Sequence, residues 1–295
     1  MESHGLAESS VTPRPALTWG RFRSFVRLEH TLFSVPVLLG AAVLAARGWP
    51  PLDRLLVTLV AAAGARTAAM SLNRIVDRRL DALNPRTAGR ELPAGRLSVA
   101  QAWGVTLAAL AVYGAGAWYL SPVCAALAPV PVVVFCGYPY LKRVTPLAHF
   151  GVGLGLSLAP LGAYLAMRPE PLGALRGSAP LTLFTFFWVS GFDVIYATLD
   201  VESDRRLGLH SMPADWGAAR ALRVSAALHA LAFAALAWLV LARFPHPAAL
   251  ALLAACGALL FLEHRNASDV DLAFFRFNAW LSFAVLALVL AGQFL

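Results

Sequence analysis

The residues most suited to chemistry by type and spacing are Asn73, Asp77 and Asp81. They are four residues apart, so on a helix they share one face and form a polar stripe. The stripe lies at the carboxyl end of an apolar segment, where the helix dipole disfavours anions and neighbouring aspartates repel each other. A positive group must therefore compensate these carboxylates.

A second stripe has the same spacing. Tyr196, Asp200 and Asp204 are four residues apart, and Asp193 precedes Asp200 by seven residues, so a helix would carry all of them on one face. This stripe also ends an apolar segment that leads to the same side of the membrane. The two motifs indicate a weak internal repeat of helical units.

Arginine can neutralise such carboxylates, but a set of carboxylate and amide oxygens also suits Mg²⁺. This hard cation prefers oxygen ligands and often keeps substrate phosphates in its shell. Two facing stripes can hold Mg²⁺ around a diphosphate and neutralise the charge on a departing diphosphate. At a membrane surface, this arrangement suits an enzyme whose substrate is a lipid diphosphate.

Three further polar residues are candidates to line the same cavity. Arg66 lies inside an apolar run, seven residues before Asn73 and on the same helical face. An arginine inside a membrane segment is energetically costly, so its presence indicates a functional role. It can bind diphosphate or the carboxylate of an acidic substrate, or form a salt bridge to a motif aspartate. His30 and Asn278 are polar residues near the ends of apolar segments.

A third short segment carries the only lysine of the chain, Lys142, four residues after Tyr138. A contact with phosphate and a snorkelling anchor at the interface explain this lysine equally well. Arginines in the loop after the first motif can clamp phosphate, although the positive-inside rule explains some of them equally well. The candidate diphosphate ligands are Lys142, Arg143, Arg78, Arg86, Arg90 and Tyr138.

The elements that position these residues must be membrane-spanning. Hydrophobic residues make up 59% of the 295-residue chain and charged residues 14%, against roughly 25% in soluble proteins. This composition excludes an ordinary soluble enzyme, a disordered chain and a nucleic-acid-binding domain, despite the net charge of +8. Open sheets cannot span lipid, so we predict an all-α polytopic membrane protein. The predicted spans are 31–47, 55–76, 99–120, 122–141, 147–167, 179–199, 218–242, 247–263 and 272–294.

The basic residues predict the orientation. Most of the 24 lysines and arginines fall in the N-terminal tail and in alternate loops on the same side. The positive-inside rule then places the N-terminus and both acidic motifs on the cytoplasmic face of the inner (plasma) membrane. Residues 1–30 are predicted to form a tail with a basic amphipathic helix on that face, and residues 31–295 the nine-helix membrane domain.

These motifs resemble those of the UbiA-type intramembrane prenyltransferases, in particular the 4-hydroxybenzoate polyprenyltransferases and their menaquinone-pathway relatives. The resemblance runs from about residue 20 to the C-terminus. The Tyr138–Lys142 spacing and the segment from Arg27 to Pro36 resemble further short motifs of the group. The two aspartate motifs carry most of the resemblance; they comprise Asn73, Asp77, Asp81 and the run from Asn84, and then Asp193, Tyr196, Asp200, Glu202, Asp204, Gly208 and Ser211.

The resemblance implies nine helices around a central cavity that opens to the cytoplasm and laterally to lipid. It implies that Mg²⁺ holds a polyprenyl diphosphate there, and that a polyprenyl group passes to an aromatic acid such as 4-hydroxybenzoate in quinone biosynthesis. A dihydroxynaphthoate acceptor is equally reasonable chemically. The implied metal ligands are Asn73, Asp77, Asp81, Asp200 and Asp204.

In the reaction that follows, the allylic C–O bond ionises, an electron-rich ring attacks the carbocation, and a carboxylate accepts the ring proton. Asp193, Arg66 and Tyr196 are the candidate catalytic residues, with Asp193 as either the base or a residue that orients the ring. Arg66, His30 and Asn278 are the candidates to hold the acceptor. The partners expected are a polyprenyl diphosphate, an aromatic acid and the lipid bilayer, with no nucleic acid.

Two alternatives use some of the same residues. An ion-coupled secondary transporter would also carry membrane carboxylates, but near the midplane and in broken helices rather than at one face. A CDP-alcohol phosphotransferase also uses Mg²⁺ and aspartates, but its motif has an Asp-Gly and an Ala-Arg pair among the aspartates, and neither aspartate motif here contains them.

Overall fold

The computed structural model describes residues 17–27, 31–267, 269 and 272–295. Every regular element in these ranges is helical. A 3₁₀ turn, Thr198–Asp200, and a π-helical segment, Leu272–Phe277, interrupt the α-helices. The α-helices are α1 Trp19–Phe25, α2 Thr31–Ala46, α3 Leu52–Leu83, α4 Val99–Leu120, α5 Pro122–Leu127, α6 Pro129–Leu141, α7 Ala148–Met167, α8 Pro171–Ala197, α9 Val201–Leu207, α10 Met212–Trp216, α11 Ala218–Arg243, α12 Pro247–Arg265 and α13 Asn278–Phe294.

The prediction of an all-α membrane protein is confirmed. Among the described residues, eight helical stretches are long and apolar enough to cross a membrane. The first predicted span is shorter, because α2 has 16 residues and reaches roughly 24 Å, against about 30 Å of hydrocarbon. The predicted total of nine spans, and the division of the chain at residue 30, stay predictions.

Helix α3 extends well beyond the predicted end at residue 76 and stops at Leu83. Asn73, Asp77 and Asp81 therefore lie on one unbroken helix, as their spacing predicts. The span predicted at 122–141 is instead divided into α5 and α6, with Pro129 in the first turn of α6. Proline lacks the N–H that would continue the hydrogen bonds of α5.

The second motif departs from the unbroken helical stripe that its spacing predicts. Helix α8 ends at Ala197, the 3₁₀ turn follows, and α9 begins at Val201. The Thr198 hydroxyl donates to the Ile195 carbonyl oxygen at 2.7 Å, a local bond that competes with regular helix. Asp200 therefore lies in the turn between Tyr196 and Asp204, not on a continuous helix with them.

Close packing brings the motif-bearing helices against their neighbours. A methyl group added at Gly64 of α3 would lie 2.8 Å from the Ala109 carbonyl oxygen and 3.0 Å from the Tyr113 nitrogen, both in α4. Small residues allow membrane helices to approach this closely. Gly104, also in α4, would instead place its methyl group with nothing within 4 Å.

We therefore expect Gly64→Ala to destabilise the protein by about 1–3 kcal/mol, because the added methyl meets backbone atoms that cannot move independently. Gly104→Ala is the matched control, and it should be neutral or stabilising by up to about 1 kcal/mol, since alanine favours helix. Thermal unfolding of both variants in one detergent measures the difference. Equal effects of the two substitutions would contradict the close approach at Gly64.

Candidate active site

The two acidic motifs converge on one polar cavity of about 220 Å³. One wall comes from the last turns of α3 and the loop that follows it, and the other from the junction between α8 and α9. We call this space the polar cavity. The polar residues that line it are Asn73, Asp77, Asp81, Asn84, Arg86, Thr87, Arg90, Lys142, Asp193, Tyr196, Asp200 and Asp204.

Asp77 is 2% exposed and is held by groups from α3 and from the turn that follows α6. Lys142, which follows α6, places its Nζ 2.6 Å from Asp77 Oδ2. Asn73 donates to the same oxygen at 3.2 Å. Arg143 lies 3.8 Å from the other oxygen, Oδ1, and also donates to the Val76 carbonyl. The charge that the macrodipole disfavours is thus balanced by two cations.

Asp81 has a second pair of cations. Arg90, from the loop after α3, donates to Asp81 Oδ1 at 2.7 Å. Arg74 lies seven residues, about two helical turns, before it on α3, with its Nη1 3.9 Å from Oδ2. Thr87 donates to the Asp81 carbonyl oxygen at 2.9 Å and so folds the loop back on α3. Arg74 is buried and was not among the predicted site residues.

Arg86 joins the two motifs across the polar cavity. Its Nε donates to Asp200 Oδ1 at 2.8 Å, its Nη1 to the Tyr196 hydroxyl at 2.7 Å, and its Nη2 to Asp200 Oδ2. Asn84 donates to Asp200 Oδ1 at 2.8 Å. Burial lowers the pKa of Arg86, but the hydrogen bond to Asp200 and the neighbouring Tyr196 outweigh it and hold that pKa above its usual value. The fork geometry suits arginine.

The remaining two carboxylates are held by a hydroxyl group and an imidazole ring. The Ser211 hydroxyl donates to Asp204 Oδ2 at 2.9 Å. His149 of α7 lies with its Nδ1 2.7 Å from Asp193 Oδ2. His149 was not among the predicted site residues, since no motif spacing contains it. Its polar side chain inside an apolar segment was the only available signal.

Arg66 lies beside the polar cavity but not in it. Its guanidinium donates to the carbonyl oxygens of Val26, at 3.1 Å, and Arg27, at 2.8 Å, just after α1. A salt bridge to a motif aspartate was one alternative interpretation of this arginine. The two bonds to backbone carbonyls differ from that interpretation, and Arg66 makes a further interaction besides them. It lines the second, apolar cavity described below.

Three other predicted ligands lie outside the polar cavity. Arg78 donates to the Ile75 carbonyl of its own helix at 3.3 Å, and Tyr138 packs against Gly151 of α7. Asn278 is fully buried; its amide oxygen accepts from Trp188 Nε1 at 2.5 Å and its nitrogen donates to Glu263 Oε1 at 3.1 Å. Residue His30 lies outside the described residues.

A larger apolar cavity, of about 430 Å³, lies between α2 and the helices from α3 to α8. Alanine, leucine, valine and proline dominate its lining. The face of α3 that contributes Ala62, Arg66 and Ala69 to this cavity continues into Asn73 and Asp77, which line the polar cavity. The two cavities therefore follow each other along one face of α3.

Comparison with known proteins identifies the family. Residues 33–284 match the UbiA prenyltransferase family. The chain belongs to the UbiA prenyltransferase family. A 4-hydroxybenzoate solanesyltransferase of Synechocystis sp. is 34% identical over 183 residues, which are 61% of this chain; the match spans only 60% of that relative's length.

Solved UbiA structures share the fold. An apo UbiA homologue from Aeropyrum pernix K1 is 32% identical, with a TM-score of 0.79 over 90% of this chain and 97% of that one. A UbiA homologue from Archaeoglobus fulgidus, bound to GPP and Mg²⁺, has a TM-score of 0.67 at 20% identity, over 93% of this chain and 100% of the other.

The donor set of this UbiA protein fits a hard cation. Asp77 Oδ1 and Asp81 Oδ2 are buried side-chain oxygens that accept no hydrogen bond. The motif residues that line the polar cavity all offer an oxygen atom, the ligand that a hard cation prefers. Within the described ranges, no three histidine, cysteine or acidic side chains are gathered closely enough to hold a metal as they stand. The carboxylates hold Lys142, Arg86 and Arg90 instead.

The Lys142–Asp77 pair yields a stability prediction. Lys142→Met leaves the buried Asp77 charge with Arg143, which is more distant, as its one remaining cation among the described contacts. We therefore expect the free energy of unfolding to fall by about 1–3 kcal/mol. This loss is moderated because the lysine side chain is 31% exposed. Adding Asp77→Asn should recover part of it by removing the uncompensated charge. Thermal unfolding of the two single variants and the double variant completes a double-mutant cycle. If the two single effects on stability simply add in the double variant, the pair is not coupled.

Proposed function

We propose that this protein transfers a polyprenyl group from a polyprenyl diphosphate to an aromatic acid such as 4-hydroxybenzoate, in a Mg²⁺-dependent reaction. The observation that carries the proposal is the succession of the two cavities on one face of α3. A diphosphate lipid has the matching order of an ionic head followed by a long apolar tail. The name of the Synechocystis relative supports 4-hydroxybenzoate as acceptor.

The diphosphate binds in the polar cavity, which is lined by three cations, two from the loop after α3 and one from the turn after α6. Lys142, Arg86 and Arg90 each hold a carboxylate at hydrogen-bond distance in the free protein. Each can exchange that carboxylate for a phosphate oxygen at little cost in charge, because one anion replaces another. Arg143, 3.8 Å from Asp77, adds a further positive charge at the rim.

The carboxylates released by this exchange are the metal ligands. Mg²⁺ held by oxygens of Asn73, Asp77, Asp81, Asp200 and Asp204 would supply positive charge to the leaving diphosphate. The Mg²⁺ and GPP bound to the Archaeoglobus fulgidus homologue support this role.

The prenyl chain occupies the apolar cavity, whose walls exclude water from the allylic carbon. When the bond between that carbon and the diphosphate oxygen breaks, its electron pair leaves with the diphosphate. The acceptor ring then attacks the carbocation ortho to its hydroxyl, and the ring proton passes to Asp193. Arg66, at the boundary of the cavities, binds the acceptor carboxylate when it exchanges the Val26 and Arg27 carbonyls. Tyr196 orients Arg86 towards the leaving group.

The proposal extends to the membrane arrangement. Nine helices surround a central cavity that opens to the cytoplasm, with the N-terminus on the same side of the inner membrane. The excess of basic residues in alternate loops supports this orientation. The family assignment favours the enzyme over an ion-coupled transporter. A dihydroxynaphthoate acceptor requires the same chemistry, so the choice between acceptors is a matter for assay.

Activity tests the proposal directly. Purified protein with Mg²⁺, a polyprenyl diphosphate and 4-hydroxybenzoate should yield the prenylated acid, and a parallel assay with dihydroxynaphthoate ranks the two acceptors. Asp77→Asn and Asp200→Asn should each lower kcat roughly 10²–10³-fold, as loss of transition-state charge stabilisation does. EDTA should abolish turnover and excess Mg²⁺ should restore it.

Asp215→Asn is the matched control, since this aspartate contacts His210 at 2.9 Å and does not line the polar cavity. It should leave kcat unchanged. Full turnover by both motif variants, or in EDTA, would overturn the proposed reaction.

Binding can be measured apart from turnover because Lys142 is the only lysine. Its amine is partly exposed in the free protein, so an amine-acylating reagent should modify it. Mg²⁺ with a prenyl diphosphate should protect it, since the phosphate then takes the amine. The corresponding prenyl alcohol, which lacks the diphosphate, should not protect. Mass spectrometry of the peptide containing residue 142 gives the modified fraction; equal modification with both lipids would contradict the placement of the diphosphate.

A further inference from the structure

The polar cavity contains one carboxylate whose partner is a histidine ring. Asp193 Oδ2 lies 2.7 Å from His149 Nδ1, and the two side chains come from neighbouring helices, α8 and α7. The histidine side chain is 5% exposed, whereas that of Asp193 is 25% exposed. Asp193 also lines the polar cavity, and His149 does not. The carboxylate therefore faces the reactants while the imidazole lies behind it.

The second ring nitrogen of His149 identifies its protonation form. The backbone N–H of Met212 points at His149 Nε2 over 3.3 Å. A backbone amide only donates, so Nε2 must be the accepting nitrogen and the proton of the neutral ring resides on Nδ1. His149 then donates this proton to Asp193.

We infer that His149 is a positioning residue for Asp193, an inference that rests on the proposed function. Its Nδ1–H fixes one carboxylate oxygen and leaves the other directed towards the acceptor ring. This order is the reverse of a Ser-His-Asp triad, where the histidine takes the proton and the aspartate orients it. Here the aspartate takes the ring proton and the histidine orients the aspartate. The proton then leaves Asp193 through the polar cavity rather than through His149.

Two packing features keep the histidine in this place. One turn along α7, a methyl group added at Gly153 would lie 2.6 Å from the Phe186 carbonyl oxygen of α8, so the two backbones are in direct contact. Met212, whose amide binds the ring, is itself buried. Both partners of His149 therefore belong to rigid surroundings, which is what accurate positioning of a reacting group requires.

The loop residues before Met212 connect this pair to the diphosphate ligands. The His210 N–H donates to the Lys142 carbonyl oxygen at 2.7 Å, and the Ser211 hydroxyl donates to Asp204. Three consecutive residues thus contact the lysine, the metal-binding aspartate and the histidine behind the base. The segment therefore determines the position of Asp193 relative to the diphosphate ligands.

Two substitutions at position 149 separate positioning from general packing. His149→Leu introduces an apolar side chain of similar size and removes the hydrogen-bond donor to Asp193. His149→Asn restores an N–H close to the place of Nδ1. We expect the leucine variant to lose roughly 10–100-fold in kcat, as removal of an orienting partner does, with an unchanged KM for the prenyl diphosphate. The asparagine variant should recover most of the lost kcat.

The products provide a second measurement. In the leucine variant the C–O bond still ionises, but the ring adduct cannot deliver its proton efficiently and reverts to the carbocation. Water that adds to the carbocation gives the prenyl alcohol and a proton. The ratio of prenyl alcohol to prenylated acid should therefore rise in His149→Leu and fall again in His149→Asn. Combining His149→Leu with Asp193→Asn should add no further loss of kcat.

His246→Leu is the matched control, because this histidine precedes α12 at the far end of α11 and lies in neither cavity. It should leave both kcat and the product ratio unchanged. If the wild type converts neither aromatic acid, the proposed function fails and the inference with it. If the wild type is active and His149→Leu has the same kcat, the positioning role alone is overturned. It is also overturned if His149→Leu changes both kcat and KM and His149→Asn restores neither.

Discussion

The structure depends on the neutralisation of buried carboxylates at the ends of two membrane helices. Asp77 and Asp81 lie where the dipole of α3 is unfavourable to anions and where little water reaches them. Each consequently recruits cations from elsewhere in the chain, at 2.6 Å from Lys142 and 2.7 Å from Arg90. Breaking such a pair leaves a charge that the bundle cannot solvate.

The same requirement determines how the loops fold. The loop after α3 returns over the polar cavity because Arg90 reaches back to Asp81 and Arg86 reaches across to Asp200. Arg206, at the end of α9, donates to the Leu83 carbonyl oxygen at 2.9 Å and closes the connection from the other motif. Charge-assisted hydrogen bonds therefore help to order both loops, beside the packing of Leu92 and Leu97 of the first loop against Phe25 and Ile75. For the proposed reaction, this provides the diphosphate with cations that are already in place.

The division between polar and apolar chemistry follows the axis of α3. Successive turns of one helix face present alanines to the apolar cavity and then Asn73 and Asp77 to the polar one. A rigid helix sets the distance between the two environments, so a bound lipid would have its head and tail in fixed relation. Arg66, between them, is satisfied by the Val26 and Arg27 carbonyls, which explains how a charge is accommodated at that depth.

The sequence by itself determined the features that depend on local periodicity and composition. Apolar segments of membrane length predict helices because lipid leaves no other partner for the backbone, and a four-residue interval places Asn73, Asp77 and Asp81 on one face of α3. At the second motif the Thr198 hydroxyl competes for a carbonyl and a 3₁₀ turn interrupts the helix, yet Asp193, Tyr196, Asp200 and Asp204 all line one cavity. The position of Asn278 near the end of an apolar segment suggested a place in the cavity, whereas that amide is satisfied by Trp188 and Glu263.

Only the tertiary structure decided which cation meets which carboxylate. Arg86 and Asp200 are 114 residues apart, and His149 and Asp193 are 44 apart; no helical period relates positions at such separations. Their pairing follows from the packing of α7 on α8 and the fold of a loop, each set by the whole bundle. A sequence can show that buried charges need partners, but the choice among several arginines and histidines is made by distance and burial, which exist only once the helices have assembled.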